Sequence, residues 1–560
     1  MRRLLPLLIL LAAAVALPFA VRACRPQGGV ETAAGGGTEA VVLVITPHNE
    51  AIRSEFGRGF AAWHAARTGR PARVEWIVIG GTSEIGRYLA SETASAARAW
   101  WLRQGGAWRA GAAEALLGRE PPEDPDLLEL WHAFRATDDP EAFTAGVDLF
   151  FGGGDFDHQR AAEQGLLTDP WPGAEPADLA LVPATLGGLT WRTQLWYGNA
   201  LSTFGIVFNR DRLHDLGLPA PDAWQDLADP RLRGQVGLAD PTKSSSITKA
   251  FEGLVQQQIA EAVRAAGFAE ESVNDCERDP ASAPAEYHAA IARGWEEGMW
   301  LLLRMGANAR YFTPSSQRVP FEVAMGETAA GVAIDFYGRF QAQFSPAGAP
   351  QRVGFVSPAG GTSVTCDPLS LLRGAPHRAA ALLFLEFVFS EEGQRLWCYR
   401  LGEPGGPAQY ALRRYPIRRD FYPSREPALA VAFARHLPHL SDDFADPAVG
   451  AYALAERFTF RPRWTARHFA AHRDLVRAAC LDAGPELRAA WAAVCARGGP
   501  QAPANAAAVA RMRDLPVDWN SAPEVTGRTD RAAYLREWTA FFRANCRAAR
   551  ALAEAGEPTP

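Results

Sequence analysis

Lysine is almost missing from this sequence, although positive charge is not. Of the 57 basic residues in a chain of 560, only Lys243 and Lys249 are lysines, and the others are arginines. Any chemistry that requires a lysine is therefore confined to two positions. Both lysines follow a threonine, so the Gly-Lys pair of a Walker phosphate-binding loop is absent and that site is excluded. The preference for arginine, together with the abundance of alanine, is typical of GC-rich codon usage.

An excess of positive charge is lacking as well. The formal net charge is −6, which excludes a global basic field, and we expect no nucleic-acid partner. No CxxC pair and no Cys/His cluster has the spacing of a zinc site. Six cysteines follow Cys24, and two alternatives stay open for them. Either Cys480 and Cys495 form a disulfide that staples a helical hairpin, or the thiols are buried and unpaired.

The remaining composition is that of an ordinary folded protein, with 48% hydrophobic and 21% charged residues. Its start is unusual, because two arginines precede the uninterrupted apolar run Leu4–Val21, which indicates an export signal. Three outcomes stay open: cleavage after Ala23, lipidation of Cys24, or an uncleaved membrane anchor. Each places the rest of the chain outside the cytoplasmic membrane. We expect a signal peptide or anchor at 1–24 and a flexible tether at 25–39.

Alternating strand and helix patterns follow. Val41–Ile45 is rich in β-branched residues and predicts a strand buried in a parallel sheet. Glu50–Arg67 then has helical spacing, Val74–Ile79 predicts a second strand, and another helix starts at Glu84. This order predicts an α/β protein. Further strands are predicted at 147–151, 204–208, 235–239 and 331–334, a helical insertion at 92–140, and a helix-rich region after 440.

The first candidate site residues lie on loops that follow predicted strands. His48 comes after the first strand, and Thr82 and Ser83 come after the second, where open α/β sheets bind ligands. The turn around Gly80-Gly81 resembles the dinucleotide turn of short-chain dehydrogenases. Those enzymes need a Tyr-x-x-x-Lys pair, and the required tyrosine positions, 239 and 245, hold alanine and serine. The dehydrogenase is excluded. What remains is a helix start that binds an anion, or hydroxyls that merely cap the helix.

The second candidate segment runs from Asp240 to Thr248. A predicted strand ends at Asp240, and the following helix begins within the run Ser244, Ser245 and Ser246. Capping that helix would need only one serine. Three hydroxyls, free backbone N–H donors and Lys243 at one point predict an oxyanion pocket.

Several phrases of the sequence, taken in order, carry a family resemblance. The phrases are STFGIVFNR from Ser202, LGLPAP from Leu216, GQVGLADP from Gly234, GVAIDFY from Gly331 and SEEGQ from Ser390. Over residues 40–425 the chain resembles the extracellular solute-binding proteins of ABC importers, and most of all their ferric-ion-binding branch. Relatives in that branch also take phosphate-bearing or carboxylate solutes.

The resemblance implies a periplasmic-binding-protein-like fold of type II, in which two α/β lobes joined by crossing strands close on a solute. It carries a helical insertion in lobe one and a helical C-terminal extension. The expected units are lobe one at 40–200, lobe two at 201–335, a return to lobe one with closing helices at 336–439, and the C-terminal extension at 440–560.

The resemblance also implies a ligand set. Ferric-binding relatives use a histidine after the first strand, a glutamate in the next loop and a tyrosine pair. His48 and Tyr337 match two of these positions, but glycines including Gly153 and Gly154 stand where the glutamate is expected. Hard Fe³⁺ prefers anionic oxygen ligands, for which Asp155 or Asp335 would have to substitute. We therefore expect an anionic organic solute that approaches the glycine backbone closely.

These interpretations have simpler alternatives. His48 can be a loop histidine bonded to the backbone, and Tyr337 can be an aromatic residue that packs at the hinge. A ferric-ion carrier that uses both residues is the alternative function within the same class. An extracytoplasmic enzyme is the alternative from another class, although no nucleophile elbow or paired carboxylates are recognisable. We expect a catalytically silent, periplasmic monomer without a cofactor, serving an ABC permease and its ATPase.

Overall fold

The computed structural model describes residues 39–342, 351–441, 444 and 450–555. The predicted signal or anchor at 1–24, Cys24, and the tether up to residue 38 therefore lie outside the described residues. Within the described ranges, no helix is both long and apolar enough to cross a bilayer.

The strands are numbered in chain order. They are β1 (Ala40–Ile45), β2 (Ala72–Ile77), β3 (Leu149–Phe151), β4 (Leu167–Thr168), β5 (Thr185–Leu186), β6 (Leu189–Thr190), β7 (Tyr197–Ser202), β8 (Phe204–Asn209), β9 (Val236–Ala239), β10 (Ala309–Thr313), β11 (Ala330–Ile334), β12 (Val353–Val356), β13 (Thr365–Leu372) and β14 (Tyr415–Pro416).

The α-helices of the first 400 residues alternate with these strands. They are α1 (Glu50–Thr68), α2 (Thr82–Arg103), α3 (Ala112–Leu116), α4 (Pro125–Ala136), α5 (Asp155–Glu163), α6 (Arg210–Asp215), α7 (Ser245–Ala265), α8 (Glu270–Arg278), α9 (Ala285–Asn308), α10 (Arg318–Ala324), α11 (Asp335–Ala342), α12 (Arg378–Phe389) and α13 (Glu391–Cys398).

Helices make up most of the chain after β14. They are α14 (Pro427–His436), α15 (Ala451–Arg457), α16 (Pro462–Thr465), α17 (Phe469–Val476), the π-helix Arg477–Asp482, α18 (Gly484–Ala496), α19 (Ala506–Arg513), α20 (Ala522–Thr526) and α21 (Arg531–Ala555).

Two mixed sheets organise the described chain. The first has the strand order β14-β7-β13-β3-β1-β2, with β4 paired to β13, and β1 runs parallel to both β2 and β3. The second has the order β10-β9-β11-β8-β12, in which β9 runs parallel to β10 and β11 and β8 runs antiparallel to its neighbours. The predicted α/β class is confirmed.

Each sheet has its own hydrophobic core, and these cores define the two lobes as the structure has them. The core of lobe one joins residues from 42–201 to residues from 364–460. The core of lobe two joins residues from 204–353 to residues from 464–553. A third, small core lies within the helical insertion and includes Trp100, Leu116 and Phe134.

Helix α1 shows how the sequence pattern directs this packing. Asn49 caps its start by accepting a hydrogen bond from the amide of Ile52, and Gly69 ends it in the left-handed conformation. Ile52, Phe56 and Phe60 share one face of the helix and are buried in the core of lobe one.

The C-terminal extension packs on both lobes in turn. Helix α15 buries Tyr452 and Leu454 in lobe one, whereas every helix from α16 onward contributes buried residues to the core of lobe two. Helix α21 presents Tyr534, Trp538 and Phe542 along one face to that core. The six cysteines of the described residues are free thiols, so of the two alternatives left open by the sequence the structure has unpaired thiols and not a Cys480–Cys495 disulfide.

Candidate functional site

His48 lies immediately beyond the carboxyl end of β1 and is 8% exposed. Its backbone amide donates to the Thr46 hydroxyl, and its ring packs edge-on against Phe151 with centroids 4.6 Å apart. The ring Nε2 lies 3.2 Å from Oδ2 of Asp367. His48 is therefore paired with a carboxylate, and not with the backbone as the simpler alternative supposed.

Asp367 links this histidine to an arginine from much later in the chain. One guanidinium nitrogen of Arg414 donates to Oδ2 of Asp367, and the other donates to the Ser202 hydroxyl at 2.6 Å. The Arg414 side chain is 1% exposed and lies 4.4 Å from the ring centroid of Phe336. His48, Asp367, Arg414 and Ser202 form a continuous, largely buried network, which we call the His48–Asp367–Arg414 network.

The charges in this network follow from burial and pairing. Burial lowers the pKa of His48 below its ordinary value, against the opposing effect of Asp367, so the imidazole is neutral at pH 7. Burial alone would raise the pKa of Asp367, but the positive charge of Arg414 and the hydrogen bond from His48 outweigh it and hold that pKa well below its usual range. A carboxylate only accepts, so Nε2 of His48 carries the proton and Nδ1 presents a lone pair.

The glycines after β3 bring a second loop against His48. Gly152 and Gly153 have φ values of +87° and +107°, which L side chains rarely adopt. A Cβ on Gly152 would lie 2.4 Å from the His48 ring, and one on Gly153 would lie 2.7 Å from Cγ2 of Thr82. The sequence predicts close approach of this glycine backbone to a ligand. In the structure, the backbone of Gly152 and Gly153 lies close to the side chains of His48 and Thr82.

Helix starts at this edge of the first sheet are already capped. The Gly81 amide, before α2, donates to Glu84, and the Gly154 amide, before α5, donates to Asp157. Burial raises the pKa of Asp157, against the hydrogen bonds from Gly154 and from the Thr82 hydroxyl. Ser83 is exposed at the second position of α2.

The serine run lies in lobe two, at the start of the 21-residue helix α7. Ser244 is its cap and accepts from the Ile247 amide at 3.4 Å, while Ser245 is exposed and Ser246 is half-buried. The preceding Thr242 donates to Asp240 at 2.6 Å. One serine caps the helix, as the simplest alternative requires, and the other two are in its first turn.

An arginine of the C-terminal extension reaches this same loop. Nη1 of Arg477, in the π-helix, lies 3.4 Å from the Thr242 hydroxyl, and its Nε lies 3.3 Å from Asp482. Together with the exposed Lys243, Arg477 adds positive charge beside the serine run. No local pattern points to this arginine, because 235 positions separate it from Thr242.

Asp335 and Tyr337 lie where lobe two meets lobe one. Asp335 is fully buried at the start of α11, 3.6 Å from Nη1 of Arg339, and neither of its carboxylate oxygens has a hydrogen-bond partner among the described residues. Burial raises its pKa to about 6, although Arg339 and Arg414 oppose this. The Tyr337 hydroxyl accepts from Gln317 at 2.6 Å, and burial raises its pKa to about 12.

The structure thus brings some predicted residues together and separates others. His48, Thr82, Gly153 and Gly154 gather at the carboxyl edge of the first sheet, whereas the serine run belongs to lobe two. Three residues of the central network, Ser202, Asp367 and Arg414, were not predicted. The only local signal for Asp367 was a lone acid within the apolar strand β13. Among the described residues, no three His, Cys, Asp or Glu side chains come together as a metal group.

A separate recess of about 590 Å³ opens on lobe one between α2 and the helical insertion. Its lining is mixed, and includes Ser91, Ser95, Arg98, Trp108, Glu114 and Gln164. None of these lining residues belongs to the predicted site.

Several known proteins are similar to this chain. A family model described as bacterial extracellular solute-binding protein matches residues 142–421, which is half of the chain. An uncharacterized protein of Haemophilus influenzae is 28% identical over 257 residues, 45% of this chain and 60% of that protein. The phosphoglycerate transport regulatory protein PgtC of Salmonella typhimurium is 24% identical over 197 residues, 35% of this chain and 39% of that protein.

Two solved structures are similar to this chain at low identity. The fructose-6-phosphate-bound periplasmic protein AfuA of Actinobacillus pleuropneumoniae is 16% identical with a TM-score of 0.42, over 76% of this chain and 97% of AfuA. Iron-bound HitA of Pseudomonas aeruginosa is 16% identical with a TM-score of 0.42, over 78% of this chain and 98% of HitA.

The match to the family model confirms the resemblance drawn from the sequence phrases. The two-sheet architecture likewise confirms the predicted type II periplasmic-binding-protein-like fold. The chain spans only part of the curated relatives that it matches, 60% and 39% of their lengths. Because the family model matches half of its length, this chain belongs to the bacterial extracellular solute-binding protein family.

Proposed function

We propose that the chain is the substrate-binding component of an ABC importer, which captures a small anionic solute between its lobes and delivers it to a membrane permease. The observation that carries this proposal is the pair of α/β lobes with separate cores, which suits closure of one lobe on the other around a guest. Family membership supports the same function. We propose that it acts outside the cytoplasmic membrane, as a monomer, without catalysing a reaction.

The loop at the start of α7 supports an anionic solute. Its helix is long enough for aligned peptide dipoles to favour negative charge at that end, and Ser245 and Ser246 are placed to donate from the first turn. Lys243 and Arg477 add positive charge at the same loop. Phosphate, phosphonate and carboxylate groups all fit such donors.

His48 supports a solute that also carries hydroxyl groups. Its Nδ1 is buried and has no hydrogen-bond partner among the described residues, and its proton is held on Nε2 by Asp367. A lone pair in that position suits a hydroxyl donor. With Thr82 and Ser83 on the neighbouring loop, we propose that lobe one holds the polar body of the solute and lobe two holds its anionic group.

Thermal unfolding with added solutes tests the proposal. We expect a raised Tm with at least one of 3-phosphoglycerate, glycerol 3-phosphate, inorganic phosphate and citrate, because a ligand that binds only the folded state stabilises it. Phosphoglycerate is included because PgtC, by its name, serves phosphoglycerate transport. The bound solute should be recovered chemically unaltered.

The serine run then predicts a specific loss. In the Ser245→Ala/Ser246→Ala variant, we expect the solute that raises the Tm to bind more weakly by about 1–3 kcal/mol in calorimetric titration, because two donors are removed. Ser272→Ala is the matched control, since Ser272 is an exposed serine of α8 in the same lobe. Equal affinity in both variants would remove this loop from the site.

Two alternatives are outcomes of the same assay. A ferric-ion carrier would gain stability with ferric citrate and not with iron-free citrate, and would develop a tyrosinate absorption band that Tyr337→Phe abolishes. An extracytoplasmic enzyme would convert the added solute instead of returning it. Either result would replace the proposed function.

A further inference from the structure

Within the described residues, the chain passes between the lobes three times. The first crossing is Thr203, the single residue between β7 in the first sheet and β8 in the second. The second is the eight-residue link 357–364, between β12 and β13. The third lies in the C-terminal extension, beyond the region that the family model matches, where the chain leaves lobe one after α15.

The third crossing has no slack. The amide of Phe460 donates to the carbonyl of Gly187 in lobe one at 2.8 Å. The amide of the next residue, Arg461, donates to Oε1 of Gln256 on α7 in lobe two at 2.9 Å. Consecutive Cα atoms are about 3.8 Å apart, so one residue step spans the two lobes.

The lobe-one anchor is tightly enclosed. Phe460 is 6% exposed, and Nζ of Lys249, from lobe two, lies 4.0 Å above its ring centroid. Gly188 has a φ of +75°, and a Cβ there would lie 2.0 Å from the Phe460 carbonyl oxygen. The hairpin of β5 and β6 therefore closes directly on the crossing backbone.

The lobe-two anchor is equally fixed. The buried Gln256 accepts from the Arg461 amide and donates back to the Arg461 carbonyl at 2.9 Å, and its amide also reaches the Thr465 hydroxyl at 2.7 Å. Thr465 in turn donates to Glu252 on the same helix at 2.8 Å. These bonds hold the start of α16 against α7.

We propose that Thr203 and the Phe460–Arg461 step are two fixed pivots, and that the lobes rotate about the line joining them. A rigid rotation that leaves two points in place has that line as its axis. The link 357–364 is longer: three residue steps separate its Gly361 carbonyl, which accepts from Trp224 of lobe two, from its Val364 carbonyl, which accepts from Trp191 of lobe one. The C-terminal extension from Trp464 onward then moves as part of lobe two. The inference rests on the proposed function only for its purpose, because closure on a solute would use this axis.

An insertion that lengthens the third crossing tests the proposal. The variant carries Gly-Ser-Gly-Ser inserted between Phe460 and Arg461, a linker with a root-mean-square span of about 11 Å. Fluorophores are placed through p-acetylphenylalanine at Arg70 in lobe one and Glu271 in lobe two, which are exposed and leave the cysteines untouched. Single-molecule energy transfer without added solute should give a broader distance distribution than the original chain. The same insertion between Arg528 and Thr529, in an exposed turn of the extension, should not.

A milder variant keeps the test decisive if the insertion disturbs folding. Gln256→Ala removes the lobe-two anchor, and Gln258→Ala, two positions along the same helix and only partly buried, is its control. Broadening in Gln256→Ala alone supports the pivot. If the insertion variant and Gln256→Ala both gave the same distance distribution as the original chain, the proposal would be overturned. Because no solute is added, failure to find a bound solute would leave this result unaffected.

Discussion

At the scale of single residues, the most constrained group is Asp367. It joins a histidine that follows β1 to an arginine that precedes β14. One carboxylate therefore binds two side chains that lie far apart in the sequence of lobe one. Arg414 has 1% of its side chain exposed and has given up nearly all its hydration. A buried guanidinium needs a paired acceptor, because removing one partner leaves an uncompensated charge.

Asp367→Ala should therefore be strongly destabilising. We expect a loss of about 3–5 kcal/mol in the free energy of unfolding, since Arg414 stays buried without its carboxylate. Urea unfolding at pH 7 measures this loss. Glu75→Ala is the control, because Glu75 is paired with Arg73 on the surface and such pairs are worth about 1 kcal/mol or less. Similar losses in the two variants would show that the His48–Asp367–Arg414 network does not carry a desolvated charge.

At the scale of elements, the loop between β3 and α5 depends on glycine for two separate reasons. Gly152 has a φ of +87°, and its missing side chain leaves room for the His48 ring. Its amide also donates to the Pro368 carbonyl on β13, so the loop cannot simply swing away. Proline has no N–H of its own, and the pairing of β13 with β7 shifts register at Pro368.

A comparison of Gly152→Ala with Gly217→Ala separates the backbone strain of a positive φ from the collision with the His48 ring. Gly217 has a φ of +64° with nothing within 4 Å of its Cβ position, so its variant carries backbone strain alone, about 1–2 kcal/mol. Gly152→Ala adds a collision with His48 and should cost at least about 1 kcal/mol more in urea unfolding. Equal losses would mean that His48 moves aside freely.

The elements themselves could be predicted from the sequence more fully than their contacts. Continuous apolar runs located β1 and β8 to within one residue, because burial in a sheet is a local pattern. The strand expected at Val74–Ile79 lies at Ala72–Ile77, since Val78 and Ile79 are exposed at the sheet edge. The partnership of Asp367 with Arg414 could not be predicted, because no local pattern encodes a contact across 47 positions.

At the scale of the whole molecule, the extension completes the core of lobe two. Helix α9 buries residues on every side, among them Trp295 and Trp300. Trp295 donates to His472 of α17 at 2.9 Å, and Trp300 packs edge-on against Trp491 of α18 at 6.3 Å. The sequence predicted a helix-rich region after 440, but no local pattern could identify the lobe on which those helices pack.

Trp491→Ala tests whether the extension and lobe two are one cooperative unit. Trp491 is fully buried and donates to Asn308, the last residue of α9, at 2.7 Å, so its removal leaves a cavity and an orphaned amide oxygen. We expect a loss of about 3–5 kcal/mol. Hydrogen exchange should show faster exchange in α9 and unchanged protection in α1 of lobe one. Leu552→Ala, at a site 43% exposed on α21, should change stability by about 0.5 kcal/mol or less. If α9 kept its protection in Trp491→Ala, the extension and lobe two would not be one cooperative unit. That result would contradict their movement as a single body.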